Sequence, residues 1–231
     1  MMNKHLLLVF LISFLGKCEQ NDRFAVAREQ MVQDQIIARG VQDSATLCAM
    51  RTVARHEFVP PILVGQAYDD TPLPIGSEQT ISQPYIVAFM TELIKPQKGQ
   101  RILEVGTGSG YQAAVLAEIV DTVYSIEIIS ELAASSGERL KRLGYRNVVV
   151  RCGDGYEGWK ECAPFDGILV TAAAEEIPQP LINQLKDGGI LVIPVGSEAS
   201  VQELTVVKKC GKNIETQIVL PVRFVPLLRF R

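Results

Sequence analysis

The spacing of apolar residues changes twice along this chain. From about Phe24 to Ala38 it is helical, with Val32, Ile36 and Ile37 on one face and Gly40 placed to end the helix. Asp43 then stands as an N-cap before a second stripe of Leu47, Met50 and Val53. These two helices are expected to form an N-terminal cap on a sheet. Residues 65–84, GQAYDDTPLPIGSEQTISQP, carry three prolines and few large apolar side chains, so a long loop is expected there. Ser82 as N-cap and Pro84 in the first turn predict a helix burying Ile86, Phe89, Met90 and Leu93.

From Arg101 apolar bursts alternate with helical stretches. Strands are predicted at 101–105, 122–128, 147–151, 165–171 and 189–196, with helices at 111–119, 131–143 and 180–185. That alternation predicts an α/β fold, a mostly parallel twisted sheet with helices on both faces. Val201–Val207 and Ile214–Val222, joined by a turn at Cys210–Asn213, then read as a closing antiparallel hairpin. With 231 residues, one domain over 24–231 is the expected organisation.

Composition narrows the partners. The net charge of −3 gives no basic balance for nucleic acid. The cysteines at 18, 48, 152, 162 and 210 form no CxxC pair and no ligand spacing with the two histidines, so no metal is expected and buried free thiols are. Residues 1–18 stand apart: Lys4 and His5 precede an apolar run from Leu6 to Leu15, too short to span a bilayer. This reads as a secretory signal and predicts an exported, periplasmic or membrane-associated protein. Lys17 does not suit lipoprotein cleavage before Cys18, and a buried helix or misassigned start is the alternative.

The chemistry concentrates at strand ends. Glu104-Val-Gly106-Thr-Gly108-Ser-Gly110 follows the first strand and opens a helix, where glycine lets the backbone turn and approach a ligand. A dinucleotide fingerprint would need glycine at 111, where Tyr111 stands. Glu104 would repel a pyrophosphate but tolerate an ammonium and a sulfonium. It could equally staple the loop through backbone N–H groups. Glu127 ends the second strand where an acid accepts from ribose hydroxyls, or is an ordinary solvated carboxylate. Gly153-Asp154-Gly155 ends the third, where Asp154 could accept from an adenine amino group or make a plain Asx turn. Taken together, the three strand ends outline a nucleoside pocket.

At these residues the chain resembles the class I S-adenosyl-L-methionine methyltransferases with their Rossmann-like fold, and more narrowly the protein-L-isoaspartate O-methyltransferase family. The likeness runs from about Phe24 to Leu227. Its most specific part is LPIGSEQTISQPYIVAFMTELI (73–94), supported by RILEVGTGSGYQAAVLA (101–117), GDGYEGW (153–159), APFDGILVTAA (163–173) and VRFVPL (222–227). The resemblance implies Ser82 as the active-site serine, with Thr80 beside the methyl donor and substrate carboxylate. It implies Gly106, Gly108 and Gly110 at the amino-acid end of S-adenosyl-L-methionine, Glu127 at the ribose, and Asp154, flanked by Gly153 and Gly155, at the adenine. Ile81 and the segment with Val222, Phe224, Val225 and Pro226 would hold the substrate peptide by its backbone. The implied partners are isoaspartyl peptides and damaged proteins, met by a monomer in the cytoplasm. Two departures stand out: Glu78, where relatives can have a small residue, and the N-terminal apolar segment.

A carboxylate is already ionised at neutral pH, so methyl transfer to it requires no general base. This suits a chain whose only histidines are His5 and His56, the latter expected to be structural. The rival readings are a methyltransferase of another substrate, an NAD-dependent oxidoreductase and a non-catalytic cofactor-binding module. The segment 73–94 argues against the first and third, Tyr111 against the second.

Overall fold

The structure, a computed structural model, describes residues 24–197 and 199–230. The signal expected at 1–18 lies outside the described residues. Seven strands form one sheet: β3 (Arg101–Val105), β4 (Thr122–Glu127), β5 (Val148–Cys152), β6 (Phe165–Val170), β7 (Leu185–Val195), β8 (Gln202–Cys210) and β9 (Asn213–Val222). Their order is β5-β4-β3-β6-β7-β8-β9, parallel from β5 to β7 and antiparallel through β8 and β9. The expected α/β class and C-terminal hairpin are both present.

Alternation along each strand sends neighbours to opposite faces. Ile102, Val123, Leu169 and Val192 join one buried cluster with the N-terminal helices. Leu103, Ile126, Ile168, Val170, Leu191 and Ile193 join a second with Leu181 and Leu185. The helices covering the sheet are α3 (Pro84–Leu93), α4 (Tyr111–Ala117), α5 (Ser130–Arg142) and α6 (Gln179–Gln184).

The cap begins with a helical turn over residues 24–30, which we label α1, and continues as a π turn (Met31–Ile36) and a 3-10 turn (Ile37–Arg39). Gly40 stops it in the left-handed conformation, φ 93°. Helix α2 (Ser44–Thr52) starts at Asp43, whose Oδ2 accepts from Thr46 N and Thr46 Oγ1, both at 2.7 Å. Glu92 of α3 in turn accepts from the backbone N–H groups of Gln42 and Asp43, at 2.7 and 2.6 Å, docking the cap on the domain.

Three expectations need correction. Residues 65–84 are not a featureless loop: β1 (Leu73–Gly76) and β2 (Gln79–Ile81) form an antiparallel hairpin with Ser77 and Glu78 at its tip. Pro74 hid it from the sequence, yet proline is tolerated because this two-stranded ribbon is all edge. Buried Leu73 and Ile81 pair across it and anchor it to the core. Helix α3 is capped at Gln83, not Ser82, and its buried face is Pro84, Val87, Ala88, Met90 and Thr91. Ile86, Phe89 and Leu93 are only partly buried. Strand β7 begins at Leu185 rather than 189, because pairing with Phe165 continues through a register shift that absorbs the polar Lys186-Asp187-Gly188 stretch.

Replacing Asp43 by alanine removes a cap that satisfies one backbone donor and one hydroxyl. We expect a loss of about 1 kcal/mol of unfolding free energy, measured by urea denaturation with an unchanged m-value.

Candidate functional site

After β5 the chain crosses to the other side of β3 to make β6, so β3 and β6 diverge at a topological switch point. The crevice at the carboxyl ends of those strands is where open α/β sheets bind ligands. Gly106 sits there with φ 96°, its N–H donating to Ile126 O at 2.8 Å. A Cβ at this position would run into Thr171 Oγ1 at the end of β6. The Thr171 hydroxyl lies 2.6 Å from Gly106 O and pins the loop. Gly110, φ 86°, is the N-cap of α4 and packs against Leu140. Arg139 of α5 donates to Ser109 O at 2.8 Å, and Gln112 donates to Thr91 of α3 at 2.8 Å. The loop is therefore held from three sides.

The acids at the strand ends are arranged around this loop. Glu127 is 5% exposed, with Oε2 accepting from Gly108 N at 2.8 Å and Oε1 from Ile129 N at 3.0 Å. Each oxygen keeps a further lone pair. Asp154 makes the Asx turn, Oδ1 accepting from Tyr156 N at 2.9 Å, while Arg229 Nε stands 3.6 Å from Oδ2. Gly153 N donates to Glu127 O at 2.9 Å, so the ends of β4 and β5 lie side by side. At Gly155 a side chain would collide with Val105.

Glu104 lies beneath the loop that both sequence readings assigned it to. It is fully buried, and its side-chain hydrogen bond is to Ser125, whose Oγ contacts Oε2. Ser125 Oγ lies 2.5 Å from Thr107 Oγ1 on the loop itself, and Glu104 Oε1 has no partner. Burial pushes its carboxyl up to about 8, with the Ser125 bond acting against the shift and the nearby Glu127 charge adding to it.

The hairpin closes the crevice from above. A narrow cleft of about 50 Å³ is lined by Thr80, Ile81, Ser82, Gly106, Gly108 and Val225, among others. It adjoins a groove of about 1080 Å³ walled by Glu78, Thr80, Ser82, Ile86 and Val222–Pro226. Gln79, Thr80, Ser82, Thr171 and Val225 line both. Glu104, Gly110, Glu127 and Gly153–Gly155 line neither. The C-terminal segment is fixed by a bridge in which Ala173 N donates to Val225 O at 2.8 Å and Leu227 N to Ala173 O at 2.7 Å. No side-chain bond caps α3 at Gln83, and Ser82, one residue earlier, lines both cavities.

A family model described as protein-L-isoaspartate(D-aspartate) O-methyltransferase (PCMT) matches residues 27–230. The chain belongs to this family. A protein-L-isoaspartate O-methyltransferase of Opitutus terrae is 57% identical over 202 residues, 87% of each chain. One of Gloeobacter violaceus is 55% identical over 199 residues, covering 86% of this chain and 97% of the relative. A solved Plasmodium falciparum structure named for the same activity, in complex with S-adenosyl-L-homocysteine, superposes with a TM-score of 0.75 at 29% identity, over 89% of this chain and 98% of that one.

For a PCMT-family chain, the sequence reading missed several residues that shape the site. Thr171 is the plainest: a hydroxyl ending the fourth predicted strand, beside the switch point, is a signal that strand counting alone passes over. Tyr111, read only as a missing glycine, is buried and lies with its ring under the guanidinium of Arg55, 4.8 Å from Cζ to centroid. Arg55 is itself fully buried, and its Nε donates to Ala67 O at 2.8 Å. His56 is structural in its contacts, stacked on Phe24 at 4.1 Å and 2.7 Å from Tyr68 OH, and burial lowers its pKa. Cys48 and Cys152 are exposed rather than buried, and the four described cysteines are free. No cluster of metal-ligating side chains occurs among the described residues.

The unfolded chain gives up the Glu104 proton near the ordinary carboxylate value, whereas the folded chain holds it up to about 8. Unfolding thus releases a proton across that interval, and stability falls as pH rises through it. We expect the Tm of Glu104→Gln relative to the parent to climb from pH 5 to about pH 8 and level off above it, read by scanning calorimetry.

Proposed function

We propose that the protein transfers a methyl group from S-adenosyl-L-methionine to the free carboxylate of L-isoaspartyl residues in damaged proteins. The observation that carries this is the junction of a narrow loop cleft with a wide, peptide-sized groove through Gln79, Thr80, Ser82, Thr171 and Val225. The cleft marks where the reacting end of a donor would meet the substrate, and the groove suits a protein segment.

The residues present fit that donor. The Glu127 carboxylate beside the loop, with the Glu104 carboxyl buried beneath it, suits a cationic amino-acid end and not a pyrophosphate. Glu127 and Asp154 stand on adjacent strands with acceptor lone pairs for ribose hydroxyls and an adenine amino group. Gly106, Gly108 and Gly110 would lie against the amino-acid end. When bound, the cofactor supplies an electrophilic methyl on sulfur.

The chain's own part is positioning. The isoaspartyl α-carboxylate arrives ionised, so no residue needs to remove a proton from it. Thr80 and Ser82 offer neutral hydroxyl donors that orient the carboxylate without adding charge. The partly apolar groove wall, Ile86, Val222, Phe224 and Val225, strips water from the nucleophile, which raises its reactivity. Backbone groups of the 222–226 segment and of Ile81 hold the peptide.

Transfer of labelled methyl to an isoaspartyl peptide, beside the same peptide with ordinary aspartate, tests the reading. Methylation of the isoaspartyl form alone is expected; transfer to neither with donor bound would defeat it. Ser82→Ala is expected to lower kcat roughly tenfold or more, as loss of one positioning contact does, while donor Kd holds by calorimetry. Asp154→Ala is expected to weaken donor binding about tenfold, the worth of one hydrogen bond to a charged group, with Kd again the readout.

We further propose export, on the basic residues and apolar run at 4–15. Fractionation of cells expressing the full chain should place it outside the cytoplasm, and deletion of residues 1–18 should retain it inside.

A further inference from the structure

The groove that adjoins the loop cleft is almost uncharged. Among the described residues lining it, the charged ones are Glu78 and Arg223, of opposite sign. Glu78 comes from the tip of the hairpin, Arg223 from the segment that follows β9. Both are exposed, and neither makes an ion pair among the described residues.

Each is held at a fixed place. Ser77 and Glu78 form the two-residue loop between paired Gly76 and Gln79, with φ 50° and 59°. Such a turn normally takes Asn-Gly, because a left-handed backbone strains other side chains. A glutamate there costs stability and gains no ion-pair partner among the described residues, which points to work outside the fold. Buried Leu73 and Ile81 fix the hairpin beneath it. Arg223 stands between Val222, which is buried, and Phe224, whose N–H and C=O are both held by the Gln202 side chain, at 2.7 and 3.3 Å. Glu78 precedes Thr80 by two residues, about 7 Å along an extended chain. That is within the roughly 8 Å over which a charge is felt at physiological salt. An isoaspartyl carboxylate brought to Thr80 and Ser82 is therefore repelled by Glu78 unless a cation stands beside it. A basic side chain of the substrate itself would supply that cation.

We propose that Glu78 and Arg223 read the charges flanking the isoaspartyl residue. The preferred substrates are segments with a basic side chain placed to meet Glu78 and an acidic one placed to meet Arg223. The proposal rests on the isoaspartyl reading above. Neither residue lines the loop cleft, so both act on binding of the segment and not on the transfer step.

The test uses the full chain, S-adenosyl-L-methionine and a set of isoaspartyl peptides. In these, lysine or glutamate is set in turn at each position within three residues of the isoaspartate. At the position that meets Glu78, kcat/KM is expected to favour lysine over glutamate about fourfold, attraction and repulsion giving about twofold each, as for exposed ion pairs. The difference should lie in KM and fade at about 0.5 M salt. Glu78→Gln is expected to erase this preference and Glu78→Lys to reverse it at the same position. Glu78→Asn should match Glu78→Gln; asparagine suits the left-handed backbone, so the match separates lost charge from a disturbed turn. A second position that favours glutamate is expected to lose its preference in Arg223→Gln and keep it in Glu78→Gln. Equal kcat/KM for lysine and glutamate at every position, or a preference that Glu78→Lys leaves unreversed, overturns the proposal while isoaspartyl methylation stands. No methylation of any isoaspartyl peptide by the parent protein would overturn the isoaspartyl reading and this proposal with it.

Discussion

Everything at this site depends on one topological constraint: β3 has a parallel neighbour on each side, and the chain crosses over it between β5 and β6. Parallel pairing requires each connection to return the chain to the same end of the sheet, which brings the carboxyl ends of β4, β3 and β6 together at the top. Three consecutive strand ends then become neighbours although they are far apart in sequence. Gly106 binds across to Ile126 on one side and is clamped by Thr171 on the other. The acids that follow, Glu127 and Asp154, take their places from the same register.

Much of this was legible in the residues. The period of the apolar pattern marked all five parallel strands, and the glycine spacing marked the loop between strand and helix. The cap helices announced themselves through Gly40 and Asp43, residues whose backbone preferences and side-chain oxygens leave few other roles. The segment 73–94 carried the family resemblance by its wording alone.

What escaped has a common cause. Pairings made by main chain, such as the 73–81 hairpin and the early start of β7, use polar and proline-bearing stretches whose side chains carry no period. Burial of charge is equally silent: nothing in ARHEF distinguishes a fully buried Arg55 from a surface one, and nothing in RILEV reveals that Glu104 ends up enclosed. The position of Ser82 shows the same limit from the other side. A serine two residues before a proline reads as a helix cap, but the cap moved one residue on and left Ser82 lining the cavities.

The contact between Gly106 and Thr171 has a consequence for how such a site can vary. The missing side chain at one position and the hydroxyl at the other occupy a single shared volume, across 65 residues of sequence. A survey of single substitutions would score both positions as intolerant and assign them to two separate segments. They are unequal partners: a smaller residue at 171 would lift the clash but not the cost of a side chain at φ 96°, so shrinking 171 alone cannot release 106 from glycine.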